Sequence, residues 1–283
     1  MAPDDARAWN RFDCYELAAQ APRLEARFLS AVHGGTPMRL ADDFAGPAAI
    51  ARAWAADDPD RSAIAVDADP EPIAHARTRL ADHAARVGPK DLADRVSFQT
   101  RDVLEAAGTV DVIAALNFAA CELHSRERLL TYLRHALCRL DTHGVIVLDL
   151  YGGPDAFQPA AHQQTIETDA GDLVYTWEQR DADPLTARVR NAMHFDTPDG
   201  RRLENAFGYD WRLWTVPELR DALREAGFRR TQVHLALGEA ETGEGELLVR
   251  PVRDDAAPTP PDLAEEPDPD EPYVAYIVGR VNG

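Results

Sequence analysis

The chain alternates short apolar segments with longer amphipathic ones between residues 39 and 150. The apolar segments are Leu40–Ala41, Ala63–Val66, Val96–Phe98, Val110–Leu116 and Val145–Leu150. Nearly continuous apolar strands separated by helices are typical of a parallel sheet that is covered on both faces. This part of the sequence predicts a doubly wound α/β domain.

Helix-end signals fall between and after these segments. Asp69 and Ser125 are placed to cap the helices that follow the second and fourth strands. Thr215 and Glu218 form a capping-box pattern, and Gly227 predicts the end of that helix. Two final strands, Gln232–Leu237 and Tyr273–Val281, are predicted after it.

Between Leu150 and Thr215 the pattern is one of strands without helices. The predicted strands there are Leu173–Trp177, Val189–Phe195 and Arg202–Tyr209, with a turn signal at Thr197–Gly200. We predict about three antiparallel strands, inserted after the fifth strand of the core.

The predicted organisation is a helical lid over residues 1–38, an α/β core over 39–155 and 213–283, and a β insertion over 156–212 that roofs the site. Residues 254–272 contain eight acidic residues, six prolines and no basic residue. Such a composition cannot form a core, so this segment is predicted to be a solvated loop.

The net charge and the cysteine content limit the ligands and partners that the protein is expected to bind. Thirty Lys and Arg against 49 Asp and Glu give a net charge of −19, which disfavours nucleic acids and anionic membranes. The three cysteines lack metal-ligand spacing, so no metal is expected. With no apolar leader at the start of the sequence, we expect a cytoplasmic protein that acts on a small molecule. The oligomeric state is left open, with a homodimer as one option.

Polar residues end the first two predicted strands. Asp42, Phe44 and Gly46 follow the first, and Asp67 ends the second, 21 residues after Gly46. A small residue lets a ligand approach the backbone, and a strand-end carboxylate can bind both ribose hydroxyls. A dinucleotide site requires further glycines, and Pro47 removes one amide that would bind a phosphate. The pattern therefore favours an adenosine ligand over NAD.

The order of these motifs resembles that of the class I S-adenosylmethionine-dependent methyltransferases. Asp42-x-Phe44-x-Gly46-x-Ala48 is similar to the family's acidic, glycine-rich loop without its first and third glycines. The resemblance implies a seven-stranded Rossmann-like sheet whose last strand is antiparallel, and S-adenosylmethionine as the cofactor. The implied cofactor-binding residues are Tyr15, Gln20, Asp42, Phe44, Gly46, Asp67, Ala68, Asp102, Val103, Asn117 and Phe118.

Alternative roles remain open for several of these residues. Asn117 is as well suited to cap a strand end, and Tyr15 and Gln20 equally suit an ordinary helix face. Tyr151, Trp177 and Trp211 are the predicted substrate-binding residues, although tryptophans of an insertion more often form its core. No residue is marked as a general base, so the candidates, by placement alone, are His124, Tyr151 and His194.

The function hypothesis is methyl transfer to a small-molecule acceptor by in-line displacement. Its alternative is a non-catalytic S-adenosylmethionine-binding or interaction protein on the same fold, because glycines and an evident base are lacking. A nicotinamide-dependent oxidoreductase is the third hypothesis, and the incomplete phosphate loop disfavours it.

Overall fold

The computed structural model describes residues 9–86, 91–238, 240–241, 247–256, 268 and 270–283. The helices are α1 (Arg11–Ala19), α2 (Pro22–His33), α3 (Ala49–Asp57), α4 (Pro70–Arg86), α5 (Leu92–Arg95), α6 (Arg126–Arg139) and α7 (Val216–Ala226). Two short 3-10 helices, Val103–Glu105 and Ala119–Glu122, follow strands of the core. In this part of the chain, no helix is long and apolar enough to cross a membrane.

The core strands are β1 (Arg39–Asp43), β2 (Ser62–Asp67), β3 (Val96–Thr100), β4 (Val110–Ala115) and β5 (Leu140–Gly152). The insertion strands are β6 (Ala160–Thr168), β7 (Gly171–Asp183), β8 (Arg188–Asp196) and β9 (Arg202–Arg212). The remaining strands are β10 (Arg230–His234), β11 (Ala240–Glu241), β12 (Leu247–Leu248), β13 (Arg253–Asp254) and β14 (Tyr273–Arg280).

The large sheet has the strand order β13-β10-β14-β5-β4-β1-β2-β3. The five strands β1–β5 pair in parallel, whereas β14 lies antiparallel between β5 and β10. This confirms the predicted doubly wound sheet with an antiparallel strand inserted near its end. The strand β13 adds a short eighth member at the edge.

Alternate residues of the core strands pack against opposite helical layers. On β1, Leu40 belongs to the apolar cluster that contains residues of α2 and α3, and Ala41 belongs to the cluster that contains residues of α6 and α7. Because side chains alternate along a strand, Asp42 follows Leu40 toward α3 and Asp43 follows Ala41 toward α6. This alternation decides where the two acids lie.

The insertion forms a separate antiparallel sheet with the order β6-β7-β8-β9. It contains four strands rather than the three predicted, because the polar segment 160–168 pairs along its whole length with β7. Helix α1 packs on this sheet through a third apolar cluster that includes Trp9, Cys14 and Phe195. The N-terminal helix and the insertion thus form a joint cover over the carboxyl edge of the large sheet.

The start of the acidic segment differs from the predicted solvated loop. Asp254 lies in β13, where its Oδ1 accepts a hydrogen bond from Nε of Arg230 at 2.7 Å. Asp255 accepts one from the backbone N–H of Thr231 at 2.9 Å. These partners on β10 fix the first two acids at the sheet edge, and residues 257–267 and 269 lie outside the described residues.

Candidate functional site

A cavity of about 650 Å³ lies at the carboxyl ends of the parallel strands, beneath α1 and β9. Residues that follow β1, β2, β3 and β4 line its floor, and Asn205–Tyr209 of β9 line its cover. Nine of the eleven predicted cofactor-binding residues line this cavity, namely Tyr15, Gln20, Phe44, Gly46, Asp67, Ala68, Asp102, Val103 and Asn117. The sequence motifs therefore converge on one space.

The loop after β1 has a left-handed backbone at alternate positions. Phe44, Gly46 and Ala48 have φ values of 58°, 52° and 54°. A Cβ atom added at Gly46 would meet nothing within 4 Å, so this backbone position is open to a ligand. The loop keeps a conformation that favours glycine at positions where the sequence has phenylalanine and alanine.

Asp67 joins the loops that follow β1 and β2. Its Oδ2 accepts a hydrogen bond from the backbone N–H of Gly46 at 2.7 Å, and its Oδ1 accepts one from Asp69 at 2.8 Å. Burial raises the pKa of Asp67, while the two backbone donors act in the opposite direction. Each carboxylate oxygen keeps a second acceptor site, which suits a pair of vicinal hydroxyls.

Asp42 lines neither this cavity nor the smaller one described below, which corrects its predicted role. Its side chain is buried, and Oδ2 accepts a hydrogen bond from the backbone N–H of Ala51 at 3.1 Å, in the first turn of α3. Burial raises the pKa of Asp42. The physical reason is strand alternation, which directs Asp42 under the loop, where it caps α3.

The neighbouring Asp43 is also enclosed. Its carboxylate accepts hydrogen bonds from Nη1 of Arg139 at 2.7 Å and from the hydroxyl of Tyr132 at 3.0 Å. Both partners lie on α6. The two acids that end β1 therefore bind helices on opposite faces of the sheet, Asp42 on α3 and Asp43 on α6.

Asp102 and Val103 line the side of the cavity below β3. The Asp102 carboxylate accepts a hydrogen bond from the backbone N–H of Leu104 at 2.9 Å and lies 3.5 Å from Nη2 of Arg128. Across the cavity, Oε1 of Gln20 is buried and has no hydrogen-bond partner among the described residues. This free acceptor suits a donor group of a ligand.

Asn117 and Phe118 form a tight turn after β4. Both residues have positive φ values, 60° and 63°. Their backbone N–H groups donate to Oδ2 and Oδ1 of Asp149 at 2.9 and 2.7 Å. Burial raises the pKa of Asp149 to about 7. One buried carboxylate thus fixes the turn.

A smaller cavity of about 280 Å³ adjoins the first, and Tyr15, Asn117, Tyr209 and Trp211 line both. Its wall is mostly aromatic, consisting of Tyr15, Ala19, Asn117, Phe118, Tyr151, Tyr175, Trp177, Met193, Tyr209 and Trp211. The structure brings the three predicted substrate-binding residues, Tyr151, Trp177 and Trp211, together here. Phe118, predicted as a cofactor contact, lines only this smaller cavity.

The three candidate bases do not share one location. His124 and His194 line neither cavity: Nε2 of His124 lies 2.5 Å from the carbonyl oxygen of Asp210, and Nε2 of His194 lies 3.1 Å from Glu178. Tyr151 reaches the smaller cavity, but burial raises the pKa of its hydroxyl to about 12. The two histidines therefore lie outside both cavities, and the hydroxyl of Tyr151 stays protonated at neutral pH.

Other cavity-lining residues were missed by the sequence reasoning. Tyr175 and Met193 lie on strands whose inward face no motif marks. Glu122 follows β4 as Asn117 does, lines the larger cavity, and accepts a hydrogen bond from the indole N–H of Trp211 at 2.7 Å. Glu122 is exposed as a residue, but desolvation by the surrounding protein raises the pKa of its carboxyl. Its position after a core strand is the signal that could have identified it.

No family model and no curated protein matches the chain by sequence. Solved structures do match along nearly all of it. DesVI from Streptomyces venezuelae is 13% identical and has a TM-score of 0.67, with 98% of this chain and 100% of that chain covered. An S-adenosylmethionine-bound amino pentose methyltransferase of calicheamicin biosynthesis from Micromonospora echinaspora is 15% identical, with a TM-score of 0.62 and 98% and 100% coverage.

A third structure is an S-adenosylmethionine-dependent methyltransferase from Clostridium acetobutylicum, which is 14% identical. Its TM-score is 0.64, and 96% of this chain and 98% of that chain are covered. These similarities include the β insertion as well as the core, since almost the whole of each chain is matched. The chain has the fold of the class I S-adenosylmethionine-dependent methyltransferases.

Proposed function

We propose that this protein transfers the methyl group of S-adenosylmethionine to a small-molecule acceptor. The observation that carries the proposal is the pair of adjoining cavities at the carboxyl edge of the sheet. The larger contains strand-end carboxylates and the smaller is aromatic. The solved structures of similar fold support the cofactor, since one of them is described as bound to S-adenosylmethionine.

The residues of the larger cavity fit this cofactor. Asp67 has acceptor sites for ribose hydroxyls, and the open backbone at Gly46 allows close approach. The free acceptor of Gln20 suits an ammonium group. S-adenosylmethionine supplies a sulfonium-bound methyl group that is already activated for transfer.

The protein's own contribution is alignment and exclusion of water. The Asn117–Phe118 turn lies at both cavities, since Asn117 lines the two and Phe118 lines the smaller. Asp149 fixes this turn, so it can hold the two reactants in line. Helix α1 and β9 cover both cavities. A covered pocket of about 280 Å³ is suited to part of a small molecule.

A dinucleotide is disfavoured by the hydrogen bonds of the first loop. The N–H of Gly46 donates to Asp67, and the N–H of Ala51 at the start of α3 donates to Asp42. A pyrophosphate needs such amides free, and in the cavity it would meet the carboxylate of Asp67. These contacts argue against the nicotinamide-dependent hypothesis.

Calorimetry with S-adenosylhomocysteine tests the cofactor assignment. We expect wild-type protein to bind it and Asp67→Ala to lose at least tenfold in affinity, about 1.4 kcal/mol. Asp169→Ala is the matched control, because Asp169 is an exposed carboxylate in the β6–β7 turn. Undiminished binding by Asp67→Ala would contradict the assignment.

Transfer itself is tested by incubating the protein with methyl-labelled cofactor and a small-molecule extract. Label in an extract component, absent with Asp67→Ala, is the expected result. Cofactor binding without any transfer would favour the alternative of a non-catalytic binding protein.

A further inference from the structure

The wall of the smaller cavity is unusual in its chemistry. Seven of its ten residues are aromatic, and none of the described residues that line it is an acid, a lysine, an arginine or a histidine. The aromatic rings come from α1, β5, β7, β9 and the Asn117–Phe118 turn. They therefore surround the enclosed space from several sides.

The rings lie close to one another. The centroids of Tyr209 and Trp211 are 4.5 Å apart, and those of Trp177 and Trp211 are 5.6 Å apart. The ring centroid of Phe118 lies 5.8 Å from that of Trp211. Aromatic faces carry negative electrostatic potential and attract a cation within about 6 Å of the ring centroid.

The same wall is poorly suited to acceptors that need a base. Burial raises the pKa of all four tyrosines that line it, with that of Tyr151 and that of Tyr175 raised to about 12, so these hydroxyls stay protonated. A hydroxyl acceptor must lose its proton, whereas a neutral amine attacks through its own lone pair. An anionic acceptor finds no positive side chain among the described lining residues.

An acid bonded to one of the lining residues also favours a positive ligand. Glu122 lines the larger cavity, and its carboxylate is hydrogen-bonded to the indole N–H of Trp211. Trp211 lines both cavities, so this carboxylate lies where the two meet. A negative group there attracts a cation and repels an anion.

We propose that the smaller cavity binds the amine end of the methyl acceptor and that its aromatic faces stabilise the positive charge on nitrogen. This inference rests on the proposed function. The amine nitrogen forms a bond to the methyl carbon, the carbon–sulfur bond breaks, and its electron pair stays on sulfur. The positive charge passes from sulfur to nitrogen, and the ammonium product releases a proton to water if it has one.

The test compares two soluble probes of nearly the same shape, choline and its uncharged carbon analogue 3,3-dimethylbutan-1-ol. Calorimetry is carried out on the full chain saturated with S-adenosylhomocysteine. We expect choline to bind at least tenfold more tightly. Equal affinities, tighter binding of the neutral probe, or no choline binding at millimolar concentration would each overturn the inference.

Variants locate the binding and provide a control. Trp177 lines only the smaller cavity, so Trp177→Leu should lower choline affinity at least fivefold and leave the neutral probe nearly unchanged. Met193→Leu, a change in the same wall without loss of a ring, should affect both probes equally. Retained S-adenosylhomocysteine binding shows that a variant is folded, and the wild-type ratio decides the inference even if a variant fails to fold.

The calorimetry distinguishes a failure of the amine assignment from a failure of the proposed function. If S-adenosylhomocysteine binds and choline has no advantage, the amine assignment is wrong and the cofactor assignment stands. If S-adenosylhomocysteine does not bind, the proposed function is wrong, and the choline ratio can still be measured on the unliganded protein.

Discussion

The carboxylate of Asp149 accepts a hydrogen bond from the backbone N–H of Phe118 at 2.7 Å. Asp149 lies on β5 and Phe118 follows β4, so the contact crosses two neighbouring parallel strands. The second oxygen of Asp149 binds the N–H of Asn117. Two consecutive non-glycine residues with positive φ, each a source of about 1 kcal/mol of strain, are thus fastened by one side chain.

Removal of this carboxylate should disturb the Asn117–Phe118 turn, which contributes to the lining of both cavities. We expect Asp149→Ala to lower the free energy of unfolding by about 2 kcal/mol or more, because two partly buried N–H groups lose their partner. Affinity for S-adenosylhomocysteine should fall at least tenfold. Asp149→Asn keeps one acceptor oxygen and should show a smaller loss of both. Denaturant unfolding and calorimetry measure the two quantities.

A glycine at position 117 distinguishes the contribution of the backbone turn from that of the Asn117 side chain. Asn117→Gly permits positive φ without strain, so the turn should persist and stability should change by less than about 1 kcal/mol. A loss of affinity in this variant as large as that in Asp149→Ala would mean that the Asn117 side chain, and not the turn, holds the ligand.

The strand ends that carry the site were predictable because a buried parallel sheet leaves long apolar runs in the sequence. The position of Asp67 followed from its spacing to Gly46. The orientation of Asp42 could not be predicted, because both faces of β1 are buried. Leu40 and Ala41 are both apolar, so the sequence does not show which helical layer each face of the strand packs against. Only the packed helices distinguish the two faces.

The β1–α3 loop gives a further prediction. Ala48 is fully buried and has a φ of 54°, so Ala48→Val places a branched side chain in a conformation it rarely adopts. Ala51→Val is the matched control, since Ala51 is equally buried but lies within α3. We expect Ala48→Val to lower the free energy of unfolding by about 1–2 kcal/mol more than the control. Equal losses would show that the loop conformation carries no such penalty.

The buried pair of Asp43 and Arg139 should be far more sensitive than an exposed pair. Arg139→Met leaves the Asp43 carboxylate enclosed without its cation, and we expect a loss of about 3–5 kcal/mol. The exposed pair of Arg190 and Asp181 is the control, and Arg190→Met should cost less than about 1 kcal/mol. Thermal and denaturant unfolding compare the two variants.

The aromatic cavity could not be predicted as a unit. Phe118, Tyr151 and Trp211 are distant in sequence, and only the docking of the insertion on the core brings their rings together. The strand alternation in β8 illustrates the limit: Met193 lines the cavity, whereas the adjacent His194 does not and instead contacts Glu178. His194, a candidate base by its placement in the insertion, therefore lies outside the cavity.

Glu25 of α2 has a buried carboxyl with one oxygen that lacks a hydrogen-bond partner among the described residues. Burial raises the pKa of Glu25 from 4.5 to about 7. Between these pH values the folded state binds more protons than the unfolded state, so the free energy of unfolding falls as pH rises. The stability that protonated Glu25 contributes below pH 4.5 is therefore lost above pH 7.

Glu25→Gln removes this titration while keeping the shape of the side chain. Between pH 5 and pH 8, we expect the free energy of unfolding of the variant to rise relative to that of wild type by on the order of 2–3 kcal/mol. Denaturant unfolding at each pH measures this difference. Asp149 titrates in the same range and is present in both proteins, so the difference between their pH profiles isolates Glu25. Parallel profiles would show that Glu25 keeps its ordinary pKa in the folded protein.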